Sequence, residues 1–258
     1  MSSAPIPIPN PNPLVNLPEF LLLCMEEENI KAFKNALNTH WPSLSVSPAN
    51  SPQKIKITPL HERLDSNLLT ETFDLIVSPA NFYGRLDTQD VLYERWRGYA
   101  PPGSCTLVPF PAEIARTAPW GCRWVALCPN MRMPETVNWD REVVYKCMWS
   151  LLCEVEKWNK DVREGVERGG RVQGEGDREG DGGERKTIDR VLMPPLEVGV
   201  GNVSKEKWSG QVVLALKHFV DALERHERWM RLEWSTIGRE SFEVKKMWHE
   251  EQKAWDDW

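Results

Sequence analysis

Apolar residues along this chain fall into short continuous runs separated by stretches with helical spacing, and that alternation predicts its elements. Phe20, Leu21, Leu22, Leu23 and Cys24 form the first run, the signature of a strand covered on both faces in a parallel sheet. The segment EEENIKAFKNAL that follows spaces Ile30, Phe33 and Leu37 along one helical face and carries acids in its first turn, where they complement the helix dipole. Residues 41–53 hold three prolines among small polar residues and read as a loop. The segment KIKIT, residues 54–58, then alternates as a second strand, and LHERLDSNLLTE reads as a short helix or irregular connector. FDLIV, residues 73–77, is the third strand. It is expected to leave the sheet at Ser78-Pro79-Ala80-Asn81, because proline cannot continue a central ladder.

A helical stretch follows at 91–96, then strand signals at 106–108 and 123–128, each expected to end at its proline. Residues 140–159 form the clearest amphipathic helix, with Val144, Cys147, Met148, Leu151, Val155 and Trp158 on one face. Residues 161–187 break the pattern: eight of the sixteen glycines, eight acids and six basic residues leave almost nothing apolar to offset the entropy of ordering, so a disordered insertion is expected there. The strand IDRVLM runs into Pro194-Pro195, and LEVGVGN leads to a helix over 204–223 whose face is Trp208, Val212, Ala215, Phe219 and Leu223. Residues 1–18 are rich in proline, which removes amide donors and biases preceding residues away from helix, and read as an extended, disordered arm. The alternation predicts an α/β domain over 19–223 with a mixed, largely parallel sheet between two helical layers, and ligands in such sheets bind beyond the carboxyl ends of the strands.

Composition narrows the function classes. With 41% hydrophobic and 27% charged residues this is an ordinary globular balance, and a net charge of −6 argues against a nucleic-acid or acidic-membrane partner. A small anion remains compatible with that charge, since backbone amides and helix N-termini bind phosphate without a basic excess. The six cysteines include no CxxC pair and read as reduced core residues, and no metal or cofactor is expected. The proline-rich start is unlike a signal-peptide core and no apolar run reaches membrane-spanning length, so a cytoplasmic or nuclear location is expected.

Two strand ends carry the candidate chemistry. FDLIVSPANFYGRLD, residues 73–87, delivers an asparagine and then Gly84 after an apolar strand. VLMPPLEVGVGN, residues 191–202, delivers Gly199 and Gly201 just before a helix N-terminus, where backbone amides can approach a phosphate. The order of strand, VSPAN, glycine, the strand end ALCPNMRMPE, amphipathic helix, and a final strand with a glycine loop resembles the fungal macro-like domain, a branch of the macro domain superfamily. A second VSPAN at 46–50 follows no apolar strand and is a coincidence of composition.

The resemblance covers about residues 19–223 and implies a three-layer α/β/α macro-type domain with an ADP-ribose cleft. It implies that Asn81, with Ser78, Ala80 and Gly84 around it, contacts the distal ribose. Val198, Gly199, Val200, Gly201 and Asn202 match the loop that wraps the diphosphate, and Pro129 and Asn130 match the strand end closing one side. The pattern also departs from the family: Thr88 and Gln89 follow Asp87 where relatives carry a glycine pair, and Pro195 and Glu197 replace two glycines of the phosphate loop, adding a carboxylate there.

The function implied is binding of ADP-ribose or an ADP-ribosylated protein. An alternative is an ADP-ribosyl hydrolase or ADP-ribose phosphate phosphatase, with Asp87 or Asp90 orienting a water. A third is a degenerate scaffold working through protein partners. The segment 224–258 holds five of the thirteen tryptophans and forms a helical extension, with Val244, Met247, Trp248 and Trp255 spaced to dock on the domain. Its other reading is a helix that anchors a protein partner through tryptophan.

Overall fold

The structure, a computed structural model, describes residues 13–45, 55–64, 70–83, 89–110, 119–165 and 185–256, with the backbone alone at 249–256. Gly84 and Asp87, the side chain of Trp255, the second VSPAN, residues 1–12 of the arm and residues 166–184 of the insertion lie outside the described residues. After a 3-10 turn at Pro13–Asn16 come β1 (Glu19–Leu23), α1 (Glu27–His40), the single turn α2 (Pro42–Ser45), β2 (Ile57–Leu60), β3 (Leu75–Asn81), α3 (Gln89–Trp96), β4 (Thr106–Pro109), β5 (Trp124–Met131), α4 (Val143–Arg163), β6 (Arg190–Met193), α5 (Lys205–Glu224), α6 (His226–Met230) and α7 (Trp234–Asp256).

The six strands form one sheet in the order β2-β1-β6-β3-β5-β4. Every pairing is parallel except β4 with β5, so the sheet is mixed and mostly parallel. Alternation along the strands divides the core in two. Phe20 and Leu22 of β1, Leu75 and Val77 of β3, and Val191 and Met193 of β6 face the layer of α1, α4 and α5. Leu21, Leu23 and Leu192 point the other way, and on that side α3 covers β4 and β5 through Leu92, Val108 and Leu127. On that side non-helical residues such as Phe73, Leu64 and Trp120 pack against β1 and β6, so these strands are buried on both faces and read as continuous apolar runs instead of alternating ones.

Two expectations about proline are corrected, and one strand boundary moves across a proline. β3 does not leave the sheet at Ser78: it runs through Pro79 to Asn81, paired with β5 from Leu75↔Trp124 to Asn81↔Met131. Its pairing with β6 stops at Ile76↔Leu192, so Pro79 lies where the strand has a neighbour on one side only and no ladder bond is lost. Likewise β5 passes through Pro129, beyond its last pairing with β4 at Thr106↔Leu127. The second strand starts later than KIKIT and includes Pro59, tolerated because β2 is the sheet's edge and pairs with β1 alone.

Other boundaries also move. The long helix starts at Val143 and continues to Arg163, into what the composition assigned to the insertion. Asn159 on its last turn is almost fully buried yet satisfied: its amide donates to the Asn16 and Ile188 carbonyls and its oxygen accepts from the Ile188 amide. Five cysteines are buried and unpaired, but Cys153 is exposed, because it falls on the solvent side of α4. Burial pushes the Cys24 and Cys122 thiols up to about 11, which keeps them protonated and unreactive.

The extension packs back on the domain. Val244 and Met247 of α7 rest on Leu214 of α5 and Tyr145 of α4. Beside them Lys217 pairs with Glu243 at 2.7 Å, and His218 Nε2 lies 3.1 Å from Glu240. No helix among the described residues is long and apolar enough to cross a membrane.

Candidate functional site

At the carboxyl ends of β1, β3, β5 and β6 the chain forms a groove of about 670 Å³. Its walls are apolar: Leu23 ends β1 and Met25 follows it, Ile76 and Pro79 belong to β3, and Leu192 lies in β6 with Pro194 just after it. The volume falls in the range of small-molecule pockets, and the position, beyond the carboxyl ends of parallel strands, is where open α/β sheets bind ligands.

Six of the residues singled out in the sequence line this groove together: Ala80 and Asn81 at the end of β3, and Val198, Gly199, Val200 and Gly201 in the loop between β6 and α5. The two bends therefore face one another across a single hollow. The loop ends where Ser204 caps α5, its hydroxyl accepting from the Lys207 amide at 3.2 Å. Among the described residues the amides of Gly199, Val200 and Gly201 donate no hydrogen bond, while the Asn202 amide donates to Gly199 and the Val203 amide to Glu197. A helix N-terminus behind three unused donors is favourable ground for an anion.

Asn81 makes one contact of its own: its side-chain oxygen accepts from the Tyr83 amide at 2.9 Å, an Asx turn. That bond leaves the side-chain amide group as a donor at the groove. Ser78, Pro129, Asn130 and Asn202 do not line the hollow. Pro129 pairs with Ala80 in the ladder and its carbonyl accepts from Gly103. The register then skips Asn130, a bulge, and the Asn130 side chain turns into the core. There its amide donates to Glu197 Oε1 at 2.7 Å, and its oxygen accepts from the Cys147 thiol at 2.6 Å. The groove-wall role expected of Asn130 is thereby corrected: both ends of its amide are committed inside. Asp90 sits exposed in the first turn of α3 and is not part of the groove.

Glu197 is the residue that sequence reasoning placed correctly but read incompletely. Its φ is +62°, the left-handed region that favours glycine, so the backbone keeps a glycine's conformation although the side chain is a glutamate. The carboxyl group folds inward beneath the loop. Only 5% of the residue is exposed, Oε1 is bonded to Asn130, and Oε2 has no hydrogen-bond partner. Burial raises its pKa above the ordinary glutamate value, and the Asn130 bond offsets part of that rise.

Two features had no sequence signal. Asn29, in the first turns of α1, lines the groove, is 5% exposed, and has an unpartnered side-chain oxygen. Glu26, also at the rim, is held by Lys205 at 2.7 Å. Beside the Asn81 turn, Phe82 gathers Tyr99 and Trp139 edge-on at 5.5 and 5.9 Å, and Tyr83 meets Tyr99 at 5.8 Å. Neither a protein-family model nor a curated protein sequence matches this chain.

Proposed function

We propose that this chain is a macro-type domain whose groove binds ADP-ribose or a related ADP-ribosyl nucleotide, free or attached to a protein. One observation carries the reading: the Asn81 turn and the Val198–Gly201 loop, far apart in sequence, line the same hollow at the carboxyl edge of a mostly parallel sheet. The chemistry of each part fits. Apolar walls suit a nucleobase, the Asn81 amide suits a sugar hydroxyl, and unused loop amides next to a capped helix N-terminus suit a diphosphate. Glu197 in a left-handed conformation supports the match to a glycine of the family's phosphate loop. Asp90 lies outside the groove and lends no support to a hydrolytic role. On the extension Met230 and Trp234 are 80% and 86% exposed, which supports its use as a contact for a protein partner.

A calorimetric titration with ADP-ribose tests the proposal. Saturable heat is expected, and Asn81→Ala should weaken the affinity roughly tenfold or more. Asn81→Asp separates the two roles of this residue, since it keeps the acceptor for the Tyr83 amide but loses the donor. Binding lost in Asn81→Ala and retained in Asn81→Asp would assign the effect to the turn. No heat from millimolar ADP-ribose would overturn the reading.

A further inference from the structure

Among the described residues Glu197 is the acid buried beneath the loop, and none of those lining the groove neutralises it. Among the described residues that line the groove there is no lysine, arginine or histidine, and the other acid, Glu26, is already paired with Lys205. The groups facing the Glu197 carboxyl are the neutral Asn130 amide from β5, the Cys147 thiol of α4 behind it, and the Gly201 backbone above. Its hydrogen bond with Cys128, together with burial, raises that thiol's pKa well above the ordinary cysteine value and keeps it protonated. Oε2 lies so close under Gly201 that a Cβ placed there would sit 2.1 Å from it. Any anion seated on the loop amides is therefore held just above this carboxyl.

We infer that Glu197 is a specificity-determining residue that makes the binding of a phosphate-bearing ligand depend on uptake of one proton, while an uncharged nucleoside binds without it. This rests on the nucleotide reading of the groove. An ionised Glu197 would place two negative charges on either side of one strand of backbone. At a separation of about 6 Å and an effective dielectric of about 20, that repulsion changes a binding constant by roughly a hundredfold. The protonated carboxyl carries no such penalty, and Asn130 accommodates it because its amide donates to Oε1 in either state. The proton comes from solvent, and no bond is made or broken in the ligand.

The sign follows from linkage: the protonated protein is the form that binds the anion well, so affinity is full below the pKa of Glu197 in the free protein and falls as pH rises through it. The fall is about tenfold per pH unit until the penalty is fully expressed. ADP-ribose is a suitable probe because its pyrophosphate is a diester with no proton to lose in this range, and adenosine is the uncharged control. Titrations of both are run from pH 5.5 to 8.5 on the full chain and on Glu197→Gln, which keeps the acceptor for Asn130 and cannot ionise. ADP-ribose affinity is expected to fall across the range in the natural protein and to stay level in Glu197→Gln, with adenosine level in both. Calorimetry in buffers of different ionisation enthalpy should show proton uptake with ADP-ribose and none with adenosine, a measurement that needs no variant. A level ADP-ribose profile without proton uptake overturns the inference and leaves the nucleotide reading intact, as does an equal slope in Glu197→Gln. Absence of heat from both ligands overturns the reading and the inference together.

Discussion

Alanine at Gly201 is the substitution for which the loop geometry makes the sharpest forecast. A Cβ there would lie 2.1 Å from Glu197 Oε2, 2.8 Å from Glu197 Cβ and 2.9 Å from the Glu197 carbonyl oxygen. The first contact involves the end of a side chain, but Oε2 is buried and its partner oxygen is bonded to Asn130, so the carboxyl has little room to retreat. The other two involve Glu197's own backbone and Cβ, which can move only with the loop. Overpacking of this kind costs about 1–3 kcal/mol. The displaced loop also carries Gly199 and Val200, so ADP-ribose affinity should fall roughly tenfold for every 1.4 kcal/mol the bound geometry loses. Gly199 is the matched control, since a Cβ there meets nothing within 4 Å. Urea unfolding of Gly199→Ala should stay within about 0.5 kcal/mol of the natural protein. The doubly substituted Glu197→Ala, Gly201→Ala protein should recover only part of the loss, because it removes the 2.1 Å contact and keeps the other two. Gly201→Ala with the stability and affinity of Gly199→Ala would refute the reasoning, for it would mean that Glu197 does not lie beneath the loop.

Other consequences of the packing are equally open to measurement. Met247→Ala opens a cavity against Leu214 and should cost about 2–3 kcal/mol in urea unfolding, whereas Trp234→Ala, at an exposed site, should cost less than about 0.5 kcal/mol. Asn159→Ala strands the Ile188 amide and two carbonyls in the core, so a loss of about 2–4 kcal/mol is expected, and a loss below 1 would contradict the bonding described. Burial lowers the His218 pKa although Glu240 and Glu243 pull it upward. The unfolded chain therefore binds the proton more readily, and His218 should subtract stability as pH falls through about 6.5, its unfolded value. His218→Gln should remove that part of the pH dependence, read as urea midpoints between pH 5.5 and 8.

Much of the fold is legible in the chain because two-sided burial leaves an unmistakable trace. Strands such as FLLLC and the helices after them are recovered from periodicity alone, and the amphipathic face of Val144, Cys147, Met148, Leu151 and Val155 is the buried face of α4. Proline is where local reasoning failed. Its missing donor forbids it only where a neighbour needs that donor, and which neighbour a strand has at a given residue is a fact of the assembled sheet. Pro79 and Pro129 both lie beyond the last rung on one side of their strands, which no local pattern reveals. The direction of the Asn130 side chain is hidden from sequence for a related reason: a bulge reverses the side to which a side chain points, and bulges arise from the pairing of two distant strands.

The loop itself joins the two kinds of information. Glycines at 199 and 201 announce a close approach of backbone, and the structure shows that Gly201 lies against a carboxyl of its own loop. Glu197 occupies the left-handed conformation that glycine favours at a cost of about 1–2 kcal/mol, and its side chain turns inward where Asn130, turned by the bulge, offers a donor. The sequence leaves open whether the Glu197 side chain faces the loop's ligand side or points away; in the structure it is buried beneath the loop. Its influence on a ligand is then electrostatic through the backbone, and depends on whether the carboxyl is charged. That distinction, between a carboxylate in the groove and a carboxyl group beneath its floor, decides whether a glutamate at 197 would abolish the proposed anion binding or make it respond to pH.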